Sequence, residues 1–236
     1  MNGKIETNGR VIEYVLVRKK IKNINIRVSS DGTVRASAPE RTTVRAVEAV
    51  IKANAERILQ AVDAALARLP EPGKVVVYGT PREVVAVRGR RGESRFDADG
   101  RIIIALPDPT DAEAVSAELR RFLEIECERT LRFLVDKLMP LFAARGAAYP
   151  VISFNHAKGR WGSCSPESGR IRFSYAVLTL PPECIGLTVA HELTHLLVCN
   201  HSAAFYRELA KIVPDHRQLA AVTKNYSPAS FFSSVL

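Results

Sequence analysis

The residues best suited to chemistry are His191-Glu192-Leu193-Thr194-His195, followed six residues later by His201. On a helix, positions i and i+4 share a face, so His191 and His195 can grip one ion together. Glu192 sits one residue round from His191. It is too close to be a third ligand from that face, but well placed to hold a metal-bound water. A third ligand must come from elsewhere, and His201 is the nearest candidate. Such a set implies metal-assisted hydrolysis. Three neutral imidazoles leave a zinc ion its full charge and one open position, and Glu192 takes a proton as general base and passes it to the leaving amine. The apolar stretch 185–190 and Leu196, Leu197 and Val198 imply a buried helix. The alternative is a set of satisfied core histidines, and it requires partners for every one of these buried polar groups.

The spacing from His195 to His201 equals that of HExxHxxGxxH, in which a Gly breaks the helix and turns the chain back to the metal. Val198 stands at that position here. The break is therefore expected later, at Cys199-Asn200, because Asn tolerates the left-handed conformation that ends helices. A second electrophile often assists such a site. Arg160, Tyr226 and His216 are the candidates. Trp161, the chain's single Trp, is either a wall of the substrate cleft or a core aromatic beneath the metal helix. In the first case the strand at 171–173 would pair with an extended peptide. Cys164 and Cys199 lie near the motif; each is read as a small hydrophobe before a metal ligand.

The elements that must position these groups follow from periodicity and punctuation. Segments 11–17, 21–28 and 33–38 alternate apolar and polar residues, with a basic turn near Lys20 and a second turn at Ser30-Asp31-Gly32. They predict a three-strand antiparallel meander. Pro39 ends it, and Thr42 or Thr43 caps one helix running to about Leu69. After a break at 70–73, strands are expected at 75–78, 83–87 and 101–106. Pro107-Asp108-Pro109-Thr110 reads as a domain boundary, dividing a basic β-rich domain, 1–107, from a core over 108–236. A long helix is expected over 111–145, broken or kinked at Pro140. Strands at 151–155 and 170–175 flank a loop at 158–165. Pro181-Pro182-Glu183 opens the metal helix, and 203–212 forms another.

Composition bounds the class. The chain has 236 residues, 47% hydrophobic and 25% charged, as in ordinary globular proteins. No apolar segment resembles a signal peptide or a membrane span, and four scattered cysteines read as reduced thiols, so a cytoplasmic protein is expected. The net charge of +9 is uneven: residues 1–107 hold 20 Lys+Arg against 12 Asp+Glu, and residues 108–236 hold 14 against 13. The excess is either a solvated surface or a patch that attracts nucleic acid or an acidic partner.

The segment Arg160-Trp161-Gly162-Ser163-Cys164-Ser165, the HExxH helix, Asn200-His201-Ser202 with Phe205, and Pro214-Asp215 together resemble the YgjP-like metallopeptidase family, a relative of the SprT-like and WLM proteases. Ala38-Pro39 after a basic hairpin is also similar. The resemblance implies an α+β chain ending in a small zincin-like metalloprotease core, with one zinc ion on His191, His195 and His201, Glu192 as the catalytic residue, and a peptide or protein substrate. The family's Asn-His-Ser element favours His201 as third ligand. Arg160 and Trp161 are expected to bind substrate. His216 departs from the usual aromatic after Pro-Asp and is expected at the surface or behind the ligands. Two other functions stay open: a SprT-like protease acting on DNA-associated proteins, and a non-catalytic zinc-stabilised interaction module.

Overall fold

The computed structural model describes residues 2–7, 9–29, 32–67, 71, 73–229 and 231. The chain is α+β and forms two compact units, Met1–Leu69 and Pro70–Leu236.

Unit 1 holds β1 (Asn2–Thr7), β2 (Arg10–Lys19), β3 (Asn25–Val28), β4 (Val34–Pro39), α1 (Val44–Ala53) and α2 (Ala55–Leu66). The period-two pattern turns Ile12, Tyr14 and Leu16 of β2 and Val34, Ala36 and Ala38 of β4 onto one face. Val47 and Ile51 of α1 and Ile58 of α2 close that core. The strands are not the expected meander. Their order is β1-β2-β4-β3, and β4 pairs parallel with β2. Ala36 and Ala38 are fully buried and suit a central strand, whereas β3, with Asn25 and Arg27 exposed, suits the edge. The first edge, β1, was unforeseen. Ser30 and Asp31 of the expected turn lie outside the described residues, as do Leu69, the expected end of the helix, and Pro70, the start of the expected break. That single helix is two helices. Thr43 caps α1, accepting from Ala46 N at 3.2 Å. Asn54 then interrupts the run, its side chain donating to the Val50 carbonyl at 2.8 Å.

Unit 2 begins with β5 (Lys74–Val77), β6 (Thr80–Arg88), β7 (Arg95–Phe96) and β8 (Ile102–Leu106), ordered β5-β6-β8-β7. The long α3 (Ala112–Ala143) follows, capped by Asp111. Its stripe Leu119, Leu123, Cys127, Leu131, Val135 and Met139 recurs every four residues and is buried. Helix α3 passes through Pro140 without breaking, because that proline falls in the last turn and forfeits one backbone bond. A second sheet, ordered β10-β11-β9, contains β9 (Val151–Asn155), β10 (Gly162–Ser165) and β11 (Arg170–Ser174). Then come α4 (Pro182–Thr194), α5 (Ala203–Ile212) and α6 (His216–Thr223).

The division at 69/70 differs from the expected boundary at 107/108. Val75, Val77, Ile102, Ile104 and Leu106 share one core with α3, β11 and α4. Tyr78 N and Gly79 N donate to the carbonyls of Leu178 and Thr179 at 2.8 and 3.1 Å, tying the first sheet to the turn before α4. Pro107-Asp108-Pro109 is a connection inside unit 2.

Candidate metal centre

Helix α4 packs against α3, β10, α5 and α6, and its side chains from Leu187 to Leu193 are buried except His191, which is half-buried. Its hydroxyls are spent internally: Thr188 donates to the Cys184 carbonyl at 2.9 Å and Thr194 to Ala190 at 2.7 Å. Regular helix ends at Thr194, and His195 caps it in right-handed geometry, φ −63° and ψ −22°. The break thus comes earlier than the expected Cys199-Asn200. Tyr78 is the one non-glycine with positive φ among the described residues, so Asn200 is not left-handed. Asn200 Oδ1 instead accepts from Ser202 N at 3.2 Å, a local turn that brings His201 back over α4.

Ligating atoms of His191, His195 and His201 all lie within 4.8 Å of one another. Nε2 of His201 and Nε2 of His191 are 2.9 Å apart. His195 Nδ1 stands 3.2 Å from the Val198 carbonyl, which favours the Nδ1–H tautomer and leaves the Nε2 lone pair free. Burial, with the two other imidazoles, pushes His191 down to about 4. Burial also lowers His195. Both rings are therefore neutral near pH 7, the form that donates to a metal. Three converging imidazoles fit a borderline divalent cation.

All three rings stand on Phe205 of α5, with centroids 4.8, 4.6 and 4.9 Å away for His191, His195 and His201. Phe205 is fully buried. Glu192 points the other way, towards β10. A Cβ on Gly162 would stand 2.6 Å from its Oε1, so only glycine leaves room for the carboxylate. Burial pushes Glu192 up to about 7, and the Arg160 charge opposes that rise.

Of the proposed electrophiles, Arg160 alone is beside Glu192. His216 is buried rather than at the surface; its Nδ1 contacts the Val213 carbonyl at 3.2 Å and its ring stacks on Tyr206. It is not one of the three converging rings. Tyr226 packs against the main core. Trp161 does two jobs: it packs on that core and, with Arg160, borders a cavity of about 300 Å³ that reaches His191 and Glu192. Strand β11 lies between β9 and β10, so it has no free edge for a peptide; β10 has. Gly162 and Phe205 stand in the motifs read from the sequence without an assigned role, and Tyr206 went unread. A glycine beside a tryptophan in a strand is the signal for a close backbone approach, and the Phe205/Leu209 spacing is the signal for an inward face of α5.

None of the curated proteins compared with this chain is a significant match. A solved structure titled as the crystal structure of the metallopeptidase zymogen of Pyrococcus abyssi abylysin is 24% identical, covering 42% of this chain and 92% of that one, with a TM-score of 0.34. The family model of the YgjP-like metallopeptidase domain matches residues 22–226. The match takes in most of the chain, and the chain belongs to the YgjP-like metallopeptidase family.

Proposed function

We propose that this metallopeptidase is a zinc enzyme in which His191, His195 and His201 hold one ion and Glu192 is the general base. The carrying observation is the convergence of three imidazoles within 4.8 Å beside a buried carboxylate. A zinc ion held there supplies Lewis acidity towards water and the scissile carbonyl. Glu192, a buried carboxylate beside the imidazoles, is placed to accept a proton from water and return it to the leaving amine. Arg160 and Trp161 contact substrate, and an extended peptide adds to the free edge of β10. Metal content by elemental analysis, with His201→Ala and Glu192→Gln, tests this. One zinc per chain, weakened in His201→Ala, and turnover lost with zinc retained in Glu192→Gln, are expected. If Glu192→Gln cleaves normally, the assigned base is wrong. If metal removal unfolds the protein and Glu192→Gln changes nothing else, a zinc-stabilised interaction module replaces the enzyme.

A second reading concerns unit 1. Arg27 of β3 lies directly opposite Arg35 of β4, both exposed. Opposed like charges destabilise a sheet, so their pairing favours an anionic partner. Lys19, Lys20 and Lys22 extend the patch. Tyr14, the one aromatic of unit 1, is buried, so bases have nothing to stack on, and duplex phosphates are the partner we infer. Such a peptidase would act on proteins associated with DNA. Neutralising Lys19, Lys20 and Lys22 should abolish salt-sensitive duplex binding; binding that persists sinks this reading. Four free thiols support a cytoplasmic location.

A further inference from the structure

The cavity beside Glu192 has an uneven chemistry that the proposed reaction does not use. Its walls include Leu187, Thr188, Trp161, Ala220 and Thr223. Both threonine hydroxyls are committed to carbonyls of their own helices, Thr188 to Cys184 at 2.9 Å and Thr223 to Leu219 at 2.9 Å. These walls therefore present mainly methyl, aliphatic and aromatic surface. The polar exceptions are His191 and Glu192 on the catalytic side and the exposed Arg160, which is the one cation on the border. Among the described residues Arg160 has no hydrogen bond or ion pair. Arg160 is near enough to act on the Glu192 charge, yet the two do not form a salt bridge. At about 300 Å³ the space is at the small end of ligand pockets and suits one side chain.

We propose that this cavity is a specificity subsite for a substrate carboxylate adjacent to the cleaved bond, with aliphatic carbons on its walls and the carboxylate on the fork of Arg160. An uncommitted guanidinium offers two parallel N–H groups, the geometry that carboxylates fill. The carboxylate can be the side chain of an internal Glu or Asp, or the free C-terminus of a peptide. The inference rests on the peptidase reading, because it takes the cleft at Glu192 as the place where substrate lies.

The test separates the two. Zinc-loaded Glu192→Gln protein is titrated with fluorescein-labelled peptides in matched pairs: Glu against Gln within C-terminal amides, and free acid against amide on the Gln peptide. Cleavage of the same peptides by the unaltered protein is followed by mass spectrometry. We expect one carboxylate peptide to bind about tenfold more tightly than its neutral partner, as for a hydrogen bond to a charged group. Which pair shows the effect identifies the source of the carboxylate. Arg160→Gln should bring that ratio to about one through KM, and Arg160→Lys should restore part of it. The ratio is the readout, since Arg160 also acts on Glu192 directly. Selectivity in binding without cleavage keeps a carboxylate site at Arg160 but removes the peptidase reading, and with it the assignment of that site to a cleaved bond. Cleavage without selectivity, or selectivity that survives Arg160→Gln, overturns the subsite alone. A fall in kcat by one factor for all peptides makes Arg160 an oxyanion stabiliser and also overturns it. Neither cleavage nor selective binding overturns both.

Discussion

Replacing Gly162 by alanine isolates the placement of Glu192. The new Cβ would meet Glu192 Oε1 at 2.6 Å, Cγ at 2.8 Å and Cδ at 2.9 Å. Non-bonded carbons prefer about 3.5 Å or more, so something must give. Strand β10 cannot retreat easily: Gly162 pairs with the fully buried Phe173, and the Trp161 carbonyl accepts from Ser174 N at 2.8 Å. Helix α4 cannot either, with Val189, Ala190 and Leu193 fully buried. Displacement therefore falls on the carboxylate, by roughly 1 Å, and errors of that size cost about a hundredfold in rate. Gly162 does not have a positive φ, so alanine adds no backbone strain there. We expect kcat to fall about a hundredfold with KM little changed. Zinc content should stay at the wild-type level, because the imidazoles face Phe205 and not β10. Overpacking should cost about 1–3 kcal/mol, a drop of several degrees in Tm. The measurements are steady-state kinetics on a cleaved peptide, elemental analysis and a thermal melt. A variant with kcat within about twofold of wild type would refute the reasoning, showing that the rate does not depend on where β10 holds this carboxylate.

Phe205→Ala removes the floor beneath three imidazoles. It should cost about 3–5 kcal/mol and weaken zinc about tenfold or more, read by denaturant melts and competition with a chelator. Glu118 accepts from Arg121 at 2.7 and 2.8 Å and from Ser94 at 3.1 Å, and the Arg121 guanidinium holds its carboxyl below the usual range. A lowered carboxylate pKa contributes stability above the ordinary value and loses it as pH falls. Glu118→Gln should therefore cost about 1–3 kcal/mol in urea melts at pH 7, and the gap should close below the ordinary Glu value of 4.5. A gap that persists in acid would show another origin. In the metal-free protein, stability from His191, held down to about 4, is lost as pH falls from 6.5 towards 4, while that from Glu192, pushed up to about 7, is lost as pH rises from 4.5 towards 7, so the two largely offset each other in between. His191→Asn removes only the first effect, so in melts of the apo form the variant should gain stability relative to wild type as pH falls from 6.5 towards 4.

Local patterns were legible; partners in space were not. The bounds of α5, the Asp111 start of α3 and the Thr43 cap follow from residue spacing and capping chemistry that act within a few residues. The convergence of His201 with His191 and His195 was also foreseeable, since ten residues separate its ends. The parallel pairing of β2 with β4 was not, because the order of strands depends on which side chains the helices of unit 1 must cover. Strand β10 hid in a loop rich in Gly and Ser, whose propensities oppose a strand until β11 pairs with it. Pro107-Asp108-Pro109 announced a turn, and a turn carries no information about which core its flanks join. The end of α4 was misplaced for a similar reason: Asn200 serves a side-chain turn, not a left-handed residue.

The pedestal under the imidazoles also has a thermodynamic side. Phe205 belongs to a satellite cluster of four buried residues, Leu187, Ala190, Phe205 and Leu209, that fastens α5 to α4. Even with Leu138, Ile212 and Leu219 packed around it, so small a cluster should give α5 a lower free energy of local opening than the buried stripe of α3. If His201 and the α4 rings hold an ion as proposed, its occupancy and the docking of α5 would be linked in one equilibrium. Protection of the amides of 203–212 from exchange should rise with free metal by about 2.7 kcal/mol at a hundredfold over Kd, while α3 stays protected in either form. A cell short of the metal would then hold a chain with one loosened helix, and its own turnover by other proteases would begin there.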